Sequence, residues 1–362
     1  MSQVFFFSYE KNSDPLKGLD KLFAKSGFAD MIPEGKPAAI KLHMGELGNI
    51  RYIRPVFVRK VVDIVKREGG RPFLFDTVAN YPSARNTKRK YLRTAAMNGF
   101  VRASAGAPIV ITDDGDDLRA IPVRKQVADC DVTEVKVPSV LLESACVVVL
   151  SHVKGHEMAG FGGALKNLAM GCVSNETKRA QHLATTPLFK ADADCSGCGD
   201  CADACPTDAI TLVEGKPQRA AAKCIYCSTC YFLCPSHCWA WPEGAKEKLQ
   251  VNLAHTASAV LSGYRGKIAY VNLIQDVAPD CDCVAPSGRP VVQDVGIAFS
   301  FDPVAIDKAS VDLVDKSPII PGSTSARPPD LLGKIHNTNS LVQLEIAERL
   351  KLGTMQYRLV SV

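Results

Sequence analysis

The stretch CSGCGDCADACP, residues 195–206, places four cysteines and a proline in the spacing C-x2-C-x2-C-x3-C-P. The same spacing returns in CIYCSTCYFLCP, residues 224–235, with each cysteine 29 positions further along the chain. The proline that closes each run turns the chain away and has no backbone N–H to donate. Two neighbouring copies of one ligand-rich spacing predict a compact unit that is built around metal rather than around an apolar core.

This spacing is typical of bacterial two-cluster ferredoxins, in which the fourth cysteine of each run binds the cluster of the other run. On that pattern the sequence predicts two [4Fe-4S] clusters, one held by Cys195, Cys198, Cys201 and Cys234, the other by Cys224, Cys227, Cys230 and Cys205. Zinc ribbons use pairs of the form C-x2-C. The triple runs that end in Cys-Pro therefore disfavour zinc.

Short apolar runs alternate with amphipathic segments on both sides of the cysteine runs. Buried strands are predicted over residues 38–43, 72–76, 146–151, 268–274 and 291–299, with a last strand over 356–362. Helical spacing of apolar residues predicts helices over residues 55–68, 303–314 and 341–350, the second of them capped by Asp302. This alternation predicts an α/β fold with a largely parallel sheet.

Neither flank is complete as a domain of its own, so the cysteine runs are predicted to be an insertion. The α/β domain then comprises residues 1–186 and 244–362, and the inserted bacterial two-cluster ferredoxin-like (α+β) module comprises residues 187–243. A chain of 362 residues exceeds the size that one hydrophobic core usually serves, which agrees with such a division.

Composition limits the location and the partners. No apolar run approaches the ~20 residues that a membrane helix needs, and the N-terminal VFFF is too short for a signal peptide. We therefore expect a cytoplasmic protein without membrane insertion. In a reducing compartment, its 14 cysteines are expected to be metal ligands rather than disulfides. A net charge of +5 is too small to indicate nucleic-acid binding.

Charge is unevenly distributed along the chain. Residues 190–243 carry seven acidic and four basic side chains, a net charge of −3, whereas the whole chain carries +5. The remainder therefore carries +8, a surplus that favours an anionic small-molecule substrate or an acidic redox partner protein. A lysine-rich surface that is merely solvated is the alternative.

Polar residues gather where the predicted strands end, which is where ligands bind in open α/β sheets. The densest stretch is SHVKGHEMAGFGGALKNLAMGC, residues 151–172. The candidate catalytic residues are His43, His152, Lys154, His156, Lys166 and Asn167. The lysines would hold an anionic group, and His43 or His152 would move protons. The glycines before the predicted helix could also expose backbone N–H groups to an anion; histidines that only stabilise strand ends are the alternative.

Three cysteines outside the two runs form a further candidate site. In DCDC, residues 280–283, Cys281 and Cys283 are predicted to lie on one side of an extended segment, within reach of one metal. Cys172, after the glycine-rich segment, is a candidate third soft ligand. The sequence predicts an additional metal or a redox-active thiol pair here, and a polar loop with incidental cysteines is the alternative.

The chain as a whole resembles the iron–sulfur proteins grouped as domain of unknown function 362. The resemblance rests on KLHMGELGN, FDTVANYPSARNT, SHVKGHEMAGFGGALKNLAMGC, the double cysteine run, DCDC, DVGIAFSFDPVAIDKASVDLV and IHNTNSLVQLEIAERLKLGTMQYRLV. It implies the inserted-module architecture and a common site that includes His43, His152, Lys154, His156, Lys166, Asn167, Cys172, Cys281, Cys283, Asp302 and Asp307. It implies no substrate.

These features predict an iron–sulfur redox protein that passes single electrons through two [4Fe-4S] clusters to or from a site on the α/β domain. Whether that site is enzymatic stays open. One alternative is a non-catalytic electron carrier whose large domain docks a partner oxidoreductase. Another is a maturation factor for a metal cofactor or cluster, with DCDC as the transfer site.

Overall fold

The computed structural model describes residues 1–11 and 14–362. In these residues the strands are β1 Ser2–Ser8, β2 Pro37–Lys41, β3 Arg71–Thr77, β4 Ile109–Thr112, β5 Leu118–Pro122, β6 Glu134–Pro138, β7 Cys146–His152, β8 Lys154–His156, β9 Gly160–Gly162, β10 Leu188–Phe189, β11 Ile210–Val213, β12 Lys216–Arg219, β13 Trp239–Ala240, β14 Lys267–Ile274, β15 Gly296–Ser300 and β16 Tyr357–Ser361.

The α-helices of the described residues are α1 Pro15–Lys25, α2 Pro55–Arg67, α3 Lys88–Met97, α4 Arg102–Ala105, α5 Ser139–Leu142, α6 Ala164–Gly171, α7 Asn175–His182, α8 Asp200–Asp203, α9 Thr229–Leu233, α10 Ala245–Gly263, α11 Pro303–Lys316, α12 Leu331–Ile335 and α13 Val342–Arg349. Short 3₁₀ helices cover Phe28–Met31, Leu183–Thr185 and Ala221–Lys223. Within residues 1–11 and 14–362, no helix has both the length and the apolar character to cross a membrane.

The centre of the fold is an eight-stranded, mostly parallel sheet, as the alternating sequence pattern predicts. Its strand order is β16-β1-β15-β14-β7-β2-β3-β4. Neighbouring strands are parallel except at β15, which runs antiparallel to both β1 and β14. The carboxyl ends of β2, β3, β7 and β14 therefore meet at one edge of the sheet.

Helices cover both faces of the sheet and bury two apolar layers. Strand β7 shows why: all seven of its residues are buried, as is usual for a central parallel strand. Val147 and Val149 point to the layer under α6, α10, α11 and α13. Val148 and Leu150 point to the opposite layer under α1, α2 and α3. The result is a three-layer α/β/α arrangement.

Local sequence signals account for the helix boundaries. Helix α11 begins at Pro303, and the side chain of Asp302 accepts the backbone N–H groups of Val304 and Ala305, both at 2.9 Å, as the predicted cap. Helix α2 also begins with proline and buries the apolar face that its spacing predicts. It ends before Gly69, whose φ of 88° is a conformation that favours glycine.

The cysteine-rich segment leaves and rejoins the rest of the chain at one place. Strand β10, before the first run, pairs antiparallel with β13, after the second run. Between them lie the hairpin β11-β12 and the short helices α8 and α9. The strands on either side of the segment, β7 and β14, are parallel neighbours in the large sheet.

The neighbouring strands β15 and β1 are among the elements that differ from the sequence-based prediction. The strand predicted over residues 291–299 begins only at Gly296, whose φ is 151° and whose missing Cβ would lie 2.1 Å from the carbonyl oxygen of Phe7. The N-terminal segment forms β1, an unpredicted strand between β15 and β16. Its partners lie at the far end of the chain, and four apolar residues in a row do not distinguish a strand from a buried helix.

Candidate functional site

A cavity of about 960 Å³ lies beyond the carboxyl ends of β2, β3, β7 and β14. On the sheet side its wall includes His43, His156, Lys166 and Cys281. The facing wall comes from the second cysteine run, where Cys227, Thr229 and Phe232 border the same space. The cavity therefore joins the polar sheet edge to the cysteine-rich segment.

Cys281 and Cys283 lie in a tight turn after β14. The backbone N–H of Val284 donates to the carbonyl of Cys281 at 3.1 Å, and that of Cys283 donates to the Cys281 Sγ at 3.4 Å. The extended conformation predicted for residues 280–283 is wrong, because the backbone hydrogen bond from Val284 to Cys281 closes a turn. In the described part of the chain, His156, Cys281 and Cys283 form the group whose ligand atoms lie within 4.8 Å of one another, and such a group could hold a metal ion.

The two thiols of this turn differ in character. A hydrogen bond from the Cys283 thiol, together with Lys166 and Lys154, holds the pKa of Cys281 well below its usual range despite burial. The same hydrogen bond raises the pKa of Cys283. The Lys166 Nζ is 3.9 Å from the Cys281 Sγ. The surroundings therefore favour the thiolate at Cys281 rather than at Cys283.

Asp282, between the two cysteines, holds the turn against the sheet. Its carboxylate lies 2.8 Å from the Nδ1 of His152 and 3.3 Å from the Nζ of Lys154. The other ring nitrogen of His152 contacts the carbonyl oxygen of Gln275 at 2.7 Å. Because both nitrogens of His152 are bonded inside the protein, this residue serves to position the turn. No role is predicted for Asp282 from the sequence. The only signal is its position between two candidate ligands, Cys281 and Cys283.

His43, which borders the cavity, has a buried ring nitrogen without a hydrogen-bond partner in the part of the chain that the structure describes. Its Nδ1 accepts the backbone N–H of Gly45 at 3.1 Å, so the hydrogen-bond network assigns the ring proton to Nε2. Among the described residues this Nε2 is buried and has no partner. Burial, assisted by the charge of Arg85, lowers the pKa of His43 well below its usual value. The ring is therefore neutral, and His43 borders the cavity while its Nε2 is enclosed by the protein.

Arg85 organises the loop that follows β3. Its guanidinium pairs with Glu46 at 3.0 Å and donates to the Tyr81 hydroxyl at 2.6 Å. That hydroxyl in turn donates to the carbonyl of Cys283 at 2.9 Å. The quoted sequence motifs contain these residues, but their sequence spacing does not show that they meet. They link the loop to the cysteine turn.

A second buried ion pair lies deeper in the wall. The Nζ of Lys41 is 3.0 Å from Asp76, and both side chains are almost fully buried. The amide oxygen of Asn167 also accepts from Lys41, while its Nδ2 donates to the Leu150 carbonyl at 3.0 Å. Asn167 thus reaches the predicted site, where it joins α6 to two strands.

Lys178, which the sequence analysis did not single out, contributes a buried amine to the cavity wall. It lies on α7, and its Nζ donates to the Thr77 hydroxyl at 2.7 Å and to the carbonyl of Val78. Burial lowers its pKa to about 7. Helix α7 has the sequence NETKRAQH, whose polar character gives no sign that one lysine is enclosed.

We expect the stability cost of Lys178 to depend on pH. Its pKa in the folded protein is about 7, below the ~10.4 of an unfolded chain, so the unfolded chain binds more protons between these values. As the pH rises above 7, the free energy of unfolding of the wild type should therefore increase relative to that of Lys178→Met. The increase should be up to about 1.4 kcal/mol per pH unit. Urea denaturation at pH 7, 8 and 9 measures this difference.

Lys136→Met is the control for that experiment. Its ammonium is paired with Glu176, which raises the pKa of Lys136. Both folded and unfolded chains therefore keep this lysine charged over the same pH range, and its difference from wild type should stay constant. A constant difference for Lys178→Met as well would show that the buried amine is charged.

The N-terminus of α6, where the sequence predicted a possible anion site, is occupied by a carboxylate of the protein itself. Asp307 accepts the backbone N–H groups of Ala164 at 2.7 Å and Leu165 at 2.9 Å. It also accepts from the side chain of Asn272 at 2.8 Å. A Cβ on Gly163 would lie 2.3 Å from the Asp307 carboxylate, so the glycine permits this close approach. These N–H groups are therefore not free for a ligand.

Two other residues that the family resemblance assigns to the common site lie elsewhere. Cys172 is fully buried at the end of α6, outside the group of His156 and the two turn cysteines, and burial raises its pKa to about 12. Asp302 caps α11 and accepts from the Ser2 hydroxyl at 2.6 Å and the Thr354 N–H at 3.0 Å. Asp302 therefore ties both ends of the chain to α11.

The two cysteine runs are interleaved in space. Cys195, Cys198, Cys201 and Cys234, three from one run and one from the other, line one small cavity. The fourth cysteines have matching surroundings, because Cys205 accepts the backbone N–H of Ala209 at 3.2 Å and Cys234 that of Cys238 at 3.3 Å. Each donor follows its cysteine by four positions, so the sequence repeat is also a repeat in structure.

Comparison with known proteins identifies a family and two distant structural likenesses. The family described as "Domain of unknown function (DUF362)" matches residues 38–312. No curated protein is similar enough in sequence to count as a match. A crystal structure of a protein from Thermotoga maritima is 11% identical, with a TM-score of 0.43 over 83% of this chain. This chain spans 57% of that protein's length.

The second structural likeness is to the lactate racemase apoprotein of Thermoanaerobacterium thermosaccharolyticum. It is 10% identical, and the TM-score is again 0.43. The alignment covers 100% of this chain and 83% of that one.

Proposed function

The chain belongs to the family described as Domain of unknown function (DUF362), and because that name states no activity, we propose a function from its own residues. We propose that the protein is an iron–sulfur redox protein. In this proposal it passes single electrons, through two [4Fe-4S] clusters held by its eight paired-run cysteines, to or from a small anionic molecule bound in the cavity at the sheet edge.

One observation carries this proposal: a cysteine of the second run and the polar sheet edge border the same cavity. Cys227 lies in one wall, and Lys166, His156 and Cys281 lie in the other. A cluster at Cys227 would therefore adjoin whatever the cavity holds. Paired cubane clusters supply one electron at a time over a wide range of potentials.

The cysteines suit such clusters in number, chemistry and grouping. Three thiols of the first run and one of the second line a single cavity, which is the crossed arrangement of two-cluster ferredoxins. Backbone N–H groups donate to the sulfurs of Cys205 and Cys234. Hydrogen bonds of this kind tune the potential of a bound cluster. The eight thiolates are therefore proposed as the ligands.

The inserted module is part of the proposal. Strands β10 and β13 bring the ends of the cysteine-rich segment side by side. Strands β7 and β14, which flank it in sequence, are adjacent in the large sheet. Both observations support an α/β domain that continues on either side of a unit over about residues 187–243.

The cavity residues suit a small anion. Lys41, Arg85 and Lys154 each face a buried carboxylate, whereas Lys166 faces the Cys281 sulfur. Lys166 is thus the cation best placed to bind an anionic group. The neutral ring of His43 also borders this space, and its ring proton is on Nε2, which has no partner among the described residues. In the proposal Lys166 binds the substrate and His43 donates a hydrogen bond or a proton to it.

Metal analysis with electron paramagnetic resonance tests this proposal on anaerobically purified protein. We expect about eight irons per chain and, after reduction, the spectrum of two interacting cubane clusters. The double variant Cys281→Ser, Cys283→Ser should keep this iron content, because its cysteines lie outside both runs. About four irons, or zinc alone, would contradict the proposal.

A second candidate is a metal-handling protein, such as a maturation factor for a metal cofactor. The observation that favours it is the grouping of ligand atoms from His156, Cys281 and Cys283 within 4.8 Å. It predicts one further metal per chain, which a chelator removes while the iron of the two runs remains. A carrier that only docks a partner oxidoreductase predicts instead that Lys166→Ala has no effect on any activity.

A further inference from the structure

We infer that Cys281 and Cys283 form a redox-active dithiol, which closes to a disulfide on oxidation and opens when it receives one electron from each of the two proposed clusters. The pair would then perform two-electron chemistry on an anionic substrate in the cavity. The inference rests on the proposed function for its source of electrons. The pairing of the two thiols is argued from the turn itself.

The turn geometry suits a reversible disulfide. A disulfide requires Cα atoms about 4.4–6.8 Å apart, and residues two positions apart in a closed turn meet that requirement. The two Sγ atoms already lie within 4.8 Å of each other. Both cysteines border the cavity. The bond can therefore form by side-chain rotation, with the backbone turn retained.

The backbone of the turn is fixed by its neighbours on several sides. The carbonyl of Asp282 accepts the backbone N–H of Glu46 at 2.9 Å, and that of Cys283 accepts the Tyr81 hydroxyl at 2.9 Å. The carbonyl of Val284 accepts the side-chain amide of Asn49 at 2.7 Å. A pair held in this way can open and close without local unfolding.

The hydrogen bonds of His156 favour a thiol pair over a metal site. Its Nδ1 accepts the backbone N–H groups of Met158 and Ala159, both at 3.2 Å. In a neutral ring the single proton then resides on Nε2. A metal-bound histidine shows the reverse arrangement, in which the second nitrogen donates to an acceptor. The contacts of the His156 Nδ1 are therefore not those of a metal-bound histidine.

The electron count matches the two proposed clusters. Opening the Cys281–Cys283 disulfide breaks the S–S bond, takes up two electrons and binds one proton from water, which goes to the Cys283 sulfur while Cys281 is left as the thiolate. Each [4Fe-4S] cluster exchanges one electron, so the eight cysteines of the two runs would hold the right number of carriers. A dithiol in the cavity joins these one-electron steps to two-electron chemistry.

Thiol trapping on anaerobic protein tests the inference. The protein is poised at a series of potentials, treated with iodoacetamide and mapped by peptide mass spectrometry. We expect Cys281 and Cys283 to be alkylated together at low potential and to be joined, with the loss of two hydrogens, at high potential. A photochemical one-electron donor should open the disulfide in the wild type. The disulfide should persist in Cys205→Ala, Cys224→Ala, which lacks the proposed cluster beside the cavity.

The controls separate this inference from the proposed function. Cys130 and Cys146, buried outside the cavity wall, should remain thiols at every potential. If the protein holds eight irons but the turn pair stays reduced throughout, or binds a metal that Cys281→Ser, Cys283→Ser removes, only this inference is wrong. If the protein holds no iron, the proposed function and the electron source named here are both wrong.

Discussion

Replacing Asp282 with asparagine should lower the free energy of unfolding by about 3 to 5 kcal/mol, the range seen when one partner of a buried ion pair is removed. The Asp282 side chain is 1% exposed and lies between His152 and Lys154. Asparagine keeps the shape and an oxygen for His152, but it removes the carboxylate that pairs with the buried ammonium of Lys154. Denaturant unfolding at neutral pH measures the loss.

The pH dependence of this loss provides a second measurement. Burial alone would raise the pKa of Asp282, but His152 and Lys154 outweigh it and lower the pKa below its ordinary value. The stability that the carboxylate contributes is then present above the pKa of the unfolded chain and is lost as pH falls further. The difference between wild type and Asp282→Asn should therefore shrink below about pH 4.

Asp280→Asn is the matched control on the same loop. Its side chain is 40% exposed and lies 3.8 Å from the Nε2 of His336, a nitrogen that also contacts the carbonyl oxygen of Pro279 at 2.6 Å. A partly exposed carboxylate with so long a contact contributes little, so the change should stay within about 0.5 kcal/mol. If both variants lost the same free energy of unfolding, the loss in Asp282→Asn would not come from the buried contacts of Asp282.

The sequence predicts the sheet well because its strands are locally marked. Strand β7 is a continuous apolar run that ends in polar residues, and α11 carries its own proline and cap. By contrast, β1 was not predicted, whereas its parallel partner β16 was. The partners of β1 lie near the other end of the chain, and its only local signal is a short apolar run.

The sequence predicts at which end of the sheet the candidate site residues lie, but it does not predict which side chains contact one another. The rule that ligands bind at strand ends predicts that His43, His156, Lys166 and Cys281 lie at one end of the sheet, and all four border one cavity. It cannot show that the N-terminus of α6 is filled by Asp307, a residue 143 positions away from the N–H group it accepts. An anion site and a filled cap have the same local sequence, and only the packing of α11 against α6 distinguishes them.

His152 and Lys178 are two further residues whose contacts could not be predicted from the sequence. His152 had the sequence context of a proton carrier, yet its two ring nitrogens are bonded to Asp282 and to the Gln275 carbonyl. Lys178 had the context of an exposed helix, yet the loop after β3 encloses its amine. In both cases the partner that decides the role is about 100 or more residues away, where spacing carries no information.

The largest effect we expect is on iron content, and it tests how the two cysteine runs share their ligands. The double variant Cys205→Ala, Cys224→Ala removes one cysteine from each run, but both belong to the same predicted cluster. It should therefore keep about four of eight irons. Cys224→Ala, Cys234→Ala removes two cysteines of a single run that serve different clusters, and it should keep none. Iron analysis and visible absorption of anaerobic protein measure both.

If each run binds its own cluster, the iron contents expected for the two double variants are reversed. Loss of all iron in Cys205→Ala, Cys224→Ala, together with retention of half in Cys224→Ala, Cys234→Ala, would overturn the crossed arrangement. The crossed result is expected because Cys234 lines the same small cavity as Cys195, Cys198 and Cys201. Cys238→Ala is the control: it borders that cavity, but its backbone N–H, which donates to Cys234, survives the substitution, so the full iron content should remain.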